Sequence, residues 1–153
     1  MANTVLVIGI GNEYRGDGAV GLAVIRALKE KGLQDVTCQE STGDGMTLMD
    51  LWEGSNHVIL IDALLSDTAP GTIYRFDAHK ETIPTKLSSH AAHAFGVAEA
   101  VELAKTLYEL PPSLVVYAVE GKNFATTIGL TPEVEHAVPA AVEQVTREAQ
   151  GSA

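Results

Sequence analysis

The stretch TVLVIGIGNEYRGDGAVGLAVIRALKEKG, residues 4–32, decides the fold. Its first seven residues, TVLVIGI (4–10), are apolar without alternation, which predicts a strand buried on both faces. Residues 18–31 then follow a helical period, with Val20, Val24 and Leu28 on one face and Ala23 and Ala27 beside them. Strand, Gly-rich turn and helix in this order open a βα unit. The turn between them is where such units bind ligands, so its chemistry bears on function.

A dinucleotide fingerprint would read G-x-G-x-x-G from the end of the strand. Gly9 and Gly11 fit, but the third position is Tyr14, and Gly16 comes two residues late. Asn12, Glu13 and Tyr14 crowd the approach of a pyrophosphate, and Glu13 repels it. Glu40 stands about where a ribose-binding acid would lie, which keeps a nucleotide-binding α/β domain as a third-ranked alternative. There is no phosphate-binding G-x-x-x-x-G-K-[ST] loop and no G-x-S-x-G nucleophile elbow. Cys38 falls inside a predicted strand, where a small buried hydrophobe is its expected role.

Outward from that unit the alternation continues. DVTCQES (35–41) predicts a strand near an edge, MTLMDLWEG (46–54) a short helix closed by Gly54, and HVILIDAL (57–64) the central strand. GTIYRFDA (71–78) predicts an antiparallel strand, because its short connection leaves no room for a crossover helix. A long helix is expected from Ser89 to Tyr108, with Ala94, Val97, Ala98, Val101 and Ala104 inward. LVVYAVE (114–120) is the fifth strand. Thr131 and Pro132 make an N-cap and N1 pair for a last helix to about Glu148, which Pro139 should kink. The order implies a three-layer α/β/α sandwich around a five-stranded, mostly parallel sheet.

At 153 residues the chain is expected to be one domain, 1–153. Ten Lys and Arg against twenty Asp and Glu leave a formal charge of −10, with no basic run, which argues against nucleic acid. No apolar run approaches the roughly 20 residues of a membrane span. The start lacks a basic region ahead of its apolar stretch, and the single cysteine cannot form an internal disulfide. A cytoplasmic protein without a membrane partner is expected.

Ligands of open parallel sheets bind beyond the carboxyl ends of the strands. Asp17 follows the first strand, Asp62 follows HVILI, and Glu120 ends the fifth strand. His90 and His93 lie three apart at the start of the long helix, on one face if both are helical. A carboxylate at the end of a buried strand must be hydrogen-bonded, paired or bound to a cation. Carboxylate with imidazole suits zinc or nickel, so Asp62 and His93 form a candidate metal pair. Asp17 is also a natural N-cap of the first helix, His90 an ordinary exposed first-turn residue, and Glu120 a partner for the GKNF loop after it. Asp62 has no such structural explanation in its neighbourhood.

VLVIGIGNEYRGDGAVG (5–21), HVILIDAL, HAFGVAEAVELAKTL (93–107), LVVYAVEG (114–121) and IGLTPEVEHAV (128–138) together resemble the maturation endopeptidases of nickel-iron hydrogenases. The resemblance runs in order from about residue 4 to 148. It implies removal of a short C-terminal extension from a hydrogenase large-subunit precursor after nickel loading. The partner is then that precursor's C-terminal tail. Nickel is carried by the substrate, and no protein nucleophile is evident. It also implies three metal-binding side chains: an acid in the first turn, an Asp at the end of the central strand and a His leading the long helix. Asp62 and His93 match the last two and are the expected catalytic pair.

The first ligand position is Gly18, which has no side chain, and an impaired metal grip follows. Three explanations stand side by side. Asp17 substitutes through a shift of the turn, His90 substitutes from the other side, or the ligand has been lost through divergence or deliberate replacement. A non-catalytic metal- or precursor-binding homologue is the alternative function.

Overall fold

The computed structural model describes residues 4–151. The strands are β1 (Val5–Ile10), β2 (Val36–Ser41), β3 (His57–Leu64), β4 (Ile73–Asp77) and β5 (Ser113–Glu120). The helices are α1 (Val20–Lys31), α2 (Gly45–Trp52), α3 (Ser88–Ala92), α4 (Val97–Thr106) and α5 (Pro132–Ala149), and a 3-10 turn at Gly16–Ala19 precedes α1. The sheet order is β2-β1-β3-β5-β4, with β4 antiparallel to β5 and every other pairing parallel.

The apolar runs behave as their lack of alternation requires. β1 is buried at every position, and β3 and β5 at all but their first residues. Ile59, Ile61, Val115 and Tyr117 face α1 and α5, whereas Val58, Leu60, Leu114 and Val116 face α2 and α4. Each such aliphatic side chain contributes about 1.5–3 kcal/mol when fully buried, so the two-sided core carries most of the stability. α1 lies unusually close to β1. A Cβ at Gly21 would collide with the carbonyl oxygens of Ile10 and Ile61, and one at Gly9 with the carbonyl of Gly21. The glycines of this first unit therefore serve helix-on-sheet packing.

Three expectations change. The helix predicted from Ser89 to Tyr108 is two helices, α3 and α4, with residues 93–96 between them and Ala94 exposed. The Asp62 carboxylate fixes the start of α3, accepting from the Ser88 hydroxyl and from the Ser89 N–H. Gly96 starts a new helix whose third residue, Glu99, bonds back to the Gly96 N–H at 2.9 Å. The helix expected to begin at residue 18 is a 3-10 turn there and α-helical only from Val20. β4 is antiparallel as expected, but its partner is β5, which inserts between β3 and β4. α5 spans Pro132–Ala149 with Pro139 inside it, close to the expected end at about Glu148.

Candidate active site

The connection leaving β1 passes to the α1 face, whereas β3 leads to β4 and the chain then runs on to α3 and α4 on the opposite face. A crevice opens where neighbouring connections diverge in this way, between β1 and β3 at their carboxyl ends. Asp62 occupies that place, two residues before β3 ends and fully buried. Strand alternation turns its side chain to the α2/α4 side, with Leu60 and Leu64. Its Oδ1 accepts from the Ala63 N–H at 2.7 Å and from the Ser88 hydroxyl, and its Oδ2 accepts from the Ser89 N–H at 3.3 Å. Burial nevertheless dominates and pushes this carboxyl up to about 6, the Ser88, Ala63 and Ser89 hydrogen bonds offsetting it only in part. Asp62 is thus a carboxylate poised near neutrality, with one oxygen shared with a hydroxyl that could leave.

His93 ends α3 in extended conformation and belongs to no helix, so it shares no helical face with His90. Its Nε2 lies 3.2 Å from the Thr42 carbonyl, in the loop that joins β2 to α2. The same loop holds the segment from behind, the Gly45 N–H donating to the Phe95 carbonyl at 2.8 Å. Asp44 also sits within electrostatic reach of His93. Its carboxyl is lowered chiefly by the Thr47 hydroxyl and N–H, with a smaller contribution from His93. His90 is exposed and its Nδ1 lies 3.4 Å from Glu99.

Asp17 is not the N-cap of the first helix. Its carboxylate points away from α1 and accepts from the N–H groups of Lys122, Asn123 and Thr131 at 2.8, 3.0 and 2.8 Å, and from the Thr131 hydroxyl. Thr131 therefore spends its hydroxyl on Asp17 and none on capping α5. Glu120 also differs from expectation. It accepts from the Ser66 N–H and hydroxyl and the Thr68 hydroxyl, thereby fastening the loop after β3 and leaving the GKNF loop to Asp17.

Gly18 borders a cleft of about 660 Å³ at this end of the sheet, with Gly11, Asn12, Arg15, Thr42, Ser88 and His90 among its walls. A Cβ built on Gly18 lies 3.2 Å from the Arg15 Cβ and 3.6 Å from the Phe124 ring, so a small side chain fits with a slight shift. Ser88, Thr42, Asp44, Arg15 and Lys86 are site residues that sequence reasoning passed over. The only local signal was polarity in loops that follow strands, which ordinary solvent exposure also produces. Among the described residues no three His, Cys, Asp or Glu side chains come together as a metal-holding group.

A doubly wound α/β domain with a buried acid in its strand crevice, and a histidine on the adjoining loop, is the class this arrangement defines. A family model described as hydrogenase maturation protease matches residues 22–148. The hydrogenase 2 maturation protease of Escherichia coli (strain K12) is 30% identical over 145 residues, covering 92% of this chain and 87% of that protein. Among solved structures, the hydrogenase maturating endopeptidase HybD from E. coli superposes with a TM-score of 0.79 at 26% identity, covering 97% of this chain and 93% of that one. The [NiFe] hydrogenase maturation protease HybD from Thermococcus kodakarensis gives 0.75 at 27% identity, covering 95% and 99%. The chain belongs to the hydrogenase maturation protease family.

Proposed function

We propose that this protein cuts a C-terminal extension from a hydrogenase large-subunit precursor whose nickel is already bound, Asp62 and His93 engaging that nickel from the protease side. Family membership supports the reaction class. The single observation that supports the site is Asp62, a carboxylate fully buried beside the crevice and pushed up to about 6. Such a group binds a cation by exchanging the Ser88 hydroxyl for it. Metal-polarised carbonyl and activated water are the chemistry nickel supplies. No helix among the described residues is long and apolar enough to cross a membrane, and the proposed reaction is a cytoplasmic one.

Gly18 leaves the grip to two side chains. Of the substitutes, Asp17 is fully engaged by residues 122–131 and His90 sits beside Glu99, so neither is idle. That observation favours a second reading, a homologue that holds the precursor without cutting it. Mass spectrometry of a nickel-loaded precursor mixed with the protein separates the two. Trimming is expected for the natural chain, lost in Asp62→Asn and His93→Ala, and raised by about tenfold or more in Gly18→Asp as a ligand returns. An intact precursor with every variant overturns the protease reading.

A further inference from the structure

The charge around the cleft is opposite to that of the molecule. The chain carries twenty Asp and Glu and ten Lys and Arg, yet the walls of this cleft include no carboxylate and two cations, Arg15 and Lys86, together with His90. Of the eight other cations, Arg26, Lys29, Arg75, Lys105, Lys122 and Arg147 sit in ion pairs, while Lys31 and Lys80 lie outside this cleft. Neither Arg15 nor Lys86 has a carboxylate partner among the described residues, and both are exposed. In a chain with twice as many acids as bases, two cations turned to one acid-free cleft make a local field of the wrong sign for the rest of the surface.

The remaining walls set the other half of the chemistry. Leu65, Leu87 and Phe124 give the cleft an apolar side, and Leu65 is half exposed although it immediately follows the central strand. The glycine at 18 contributes to the same character, because an acid there would face Arg15 directly, its Cβ 3.2 Å from that of Arg15. The absence of a side chain at 18 therefore does two things at once: it removes a metal ligand and leaves Arg15 available.

We propose that this cleft takes a carboxylate of the substrate's tail, paired with Arg15 and Lys86, while an apolar side chain next to that carboxylate packs on Leu65 and Phe124. The inference rests on the protease reading for the source of the peptide. The carboxylate is either an acidic side chain or the chain terminus, and both present the same two oxygens to a guanidinium. Recognition of this kind steers an acidic segment toward a protein that otherwise repels it and sets the tail's register beside Asp62.

Three synthetic peptides test it against the nitrogen-15-labelled full chain, followed by amide shifts. N-acetyl-Val-Glu-Val amide offers a side-chain carboxylate, N-acetyl-Val-Gln-Val acid a terminal one, and N-acetyl-Val-Gln-Val amide none. Binding of at least one charged peptide about tenfold tighter than the neutral one is expected, with shifts at Asn12, Ser88, Ala91 and Phe124; which one binds identifies the source. The Arg15→Gln, Lys86→Gln double variant, whose spectrum itself reports folding, should weaken that binding about fivefold, as should raising salt from about 0.05 to about 0.3 M. Equal binding of neutral and charged peptides, binding unchanged in the double variant, or no shift at those amides with any peptide overturns the inference. Each of those results leaves the protease reading standing, because it is decided separately by trimming of the nickel-loaded precursor.

Discussion

Asp17 and Asp62 are both fully buried carboxylates at the same end of the sheet, one after β1 and one within β3. They differ in who donates to them. Burial raises Asp17 too, but N–H groups from Asn123, Thr131 and Lys122 and the Thr131 hydroxyl outweigh it, so its carboxyl lies below the usual range. At Asp62 burial wins over one hydroxyl and two N–H groups, and the carboxyl rises to about 6. Burial alone therefore says little about a carboxylate's role. Asp17 is spent on structure, tying the first turn of the chain to the loop before α5. Asp62 has donors on both oxygens too, yet they do not outweigh the cost of burying its charge.

The comparison can be broken most directly at Asp17. Asp17→Ala leaves three part-buried N–H donors without their acceptor, a loss of about 3 kcal/mol. A fall in Tm on the order of 10 °C, read by calorimetry near neutral pH, is the expected result. A change under about 1 kcal/mol would mean that the loop from 122 to 131 finds other acceptors.

At Asp62 the sign reverses. A carboxyl raised from 3.8 to about 6 binds its proton more tightly folded than unfolded. Its ionisation therefore removes stability as pH rises between those values, by about 3 kcal/mol above pH 6. Asp62→Asn lifts that penalty; its amide oxygen still accepts from Ala63 and Ser88, while the Ser89 N–H loses its acceptor. The substitution should stabilise the protein by about 1–3 kcal/mol at pH 7.5 and lose that advantage below pH 4, where the natural side chain is protonated in both states. Asp17 contributes in the opposite sense. Its stabilisation is present above the ordinary carboxylate range and is lost as pH falls through its depressed folded value. Denaturant titrations of both variants across pH 3–8 check the two slopes together.

The smallest effect sharpens the cause. Ser88→Ala removes the donor that most offsets burial at Asp62 and should raise that carboxyl further, at a cost of about 1 kcal/mol above pH 6. Carbon-detected titration of the Asp62 carboxyl reads the shift. An unmoved titration would show that the hydroxyl is idle there.

Much of the fold was legible because it rests on local pattern. Short, β-branched apolar runs without alternation read as strands covered on both faces, and VLVIGI, HVILIDAL and LVVYAVE are the three central strands. Thr131 and Pro132 marked the start of α5 correctly. The candidate site was legible at Asp62, since a charge inside so apolar a run has no local explanation. The break between α3 and α4 was hidden because the period of Val97, Ala98, Val101 and Ala104 extrapolates smoothly backwards. The contact that holds the break comes from far upstream, where the Gly45 N–H donates to the Phe95 carbonyl.

The amino-acid sequence by itself determined the layered architecture, the parallel centre of the sheet and the presence of an acid where its strands end. These depend on side-chain period and burial, which neighbouring residues express together. Tertiary structure alone decided that Asp17 binds residues 122–131, that Glu120 holds Ser66 and Thr68, and that β5 separates β3 from β4. It also decided which cations stand without partners. The reason is physical: a carboxylate's hydrogen-bond donors and a lysine's counterion come from wherever the folded chain brings them, and no spacing along the sequence encodes that meeting.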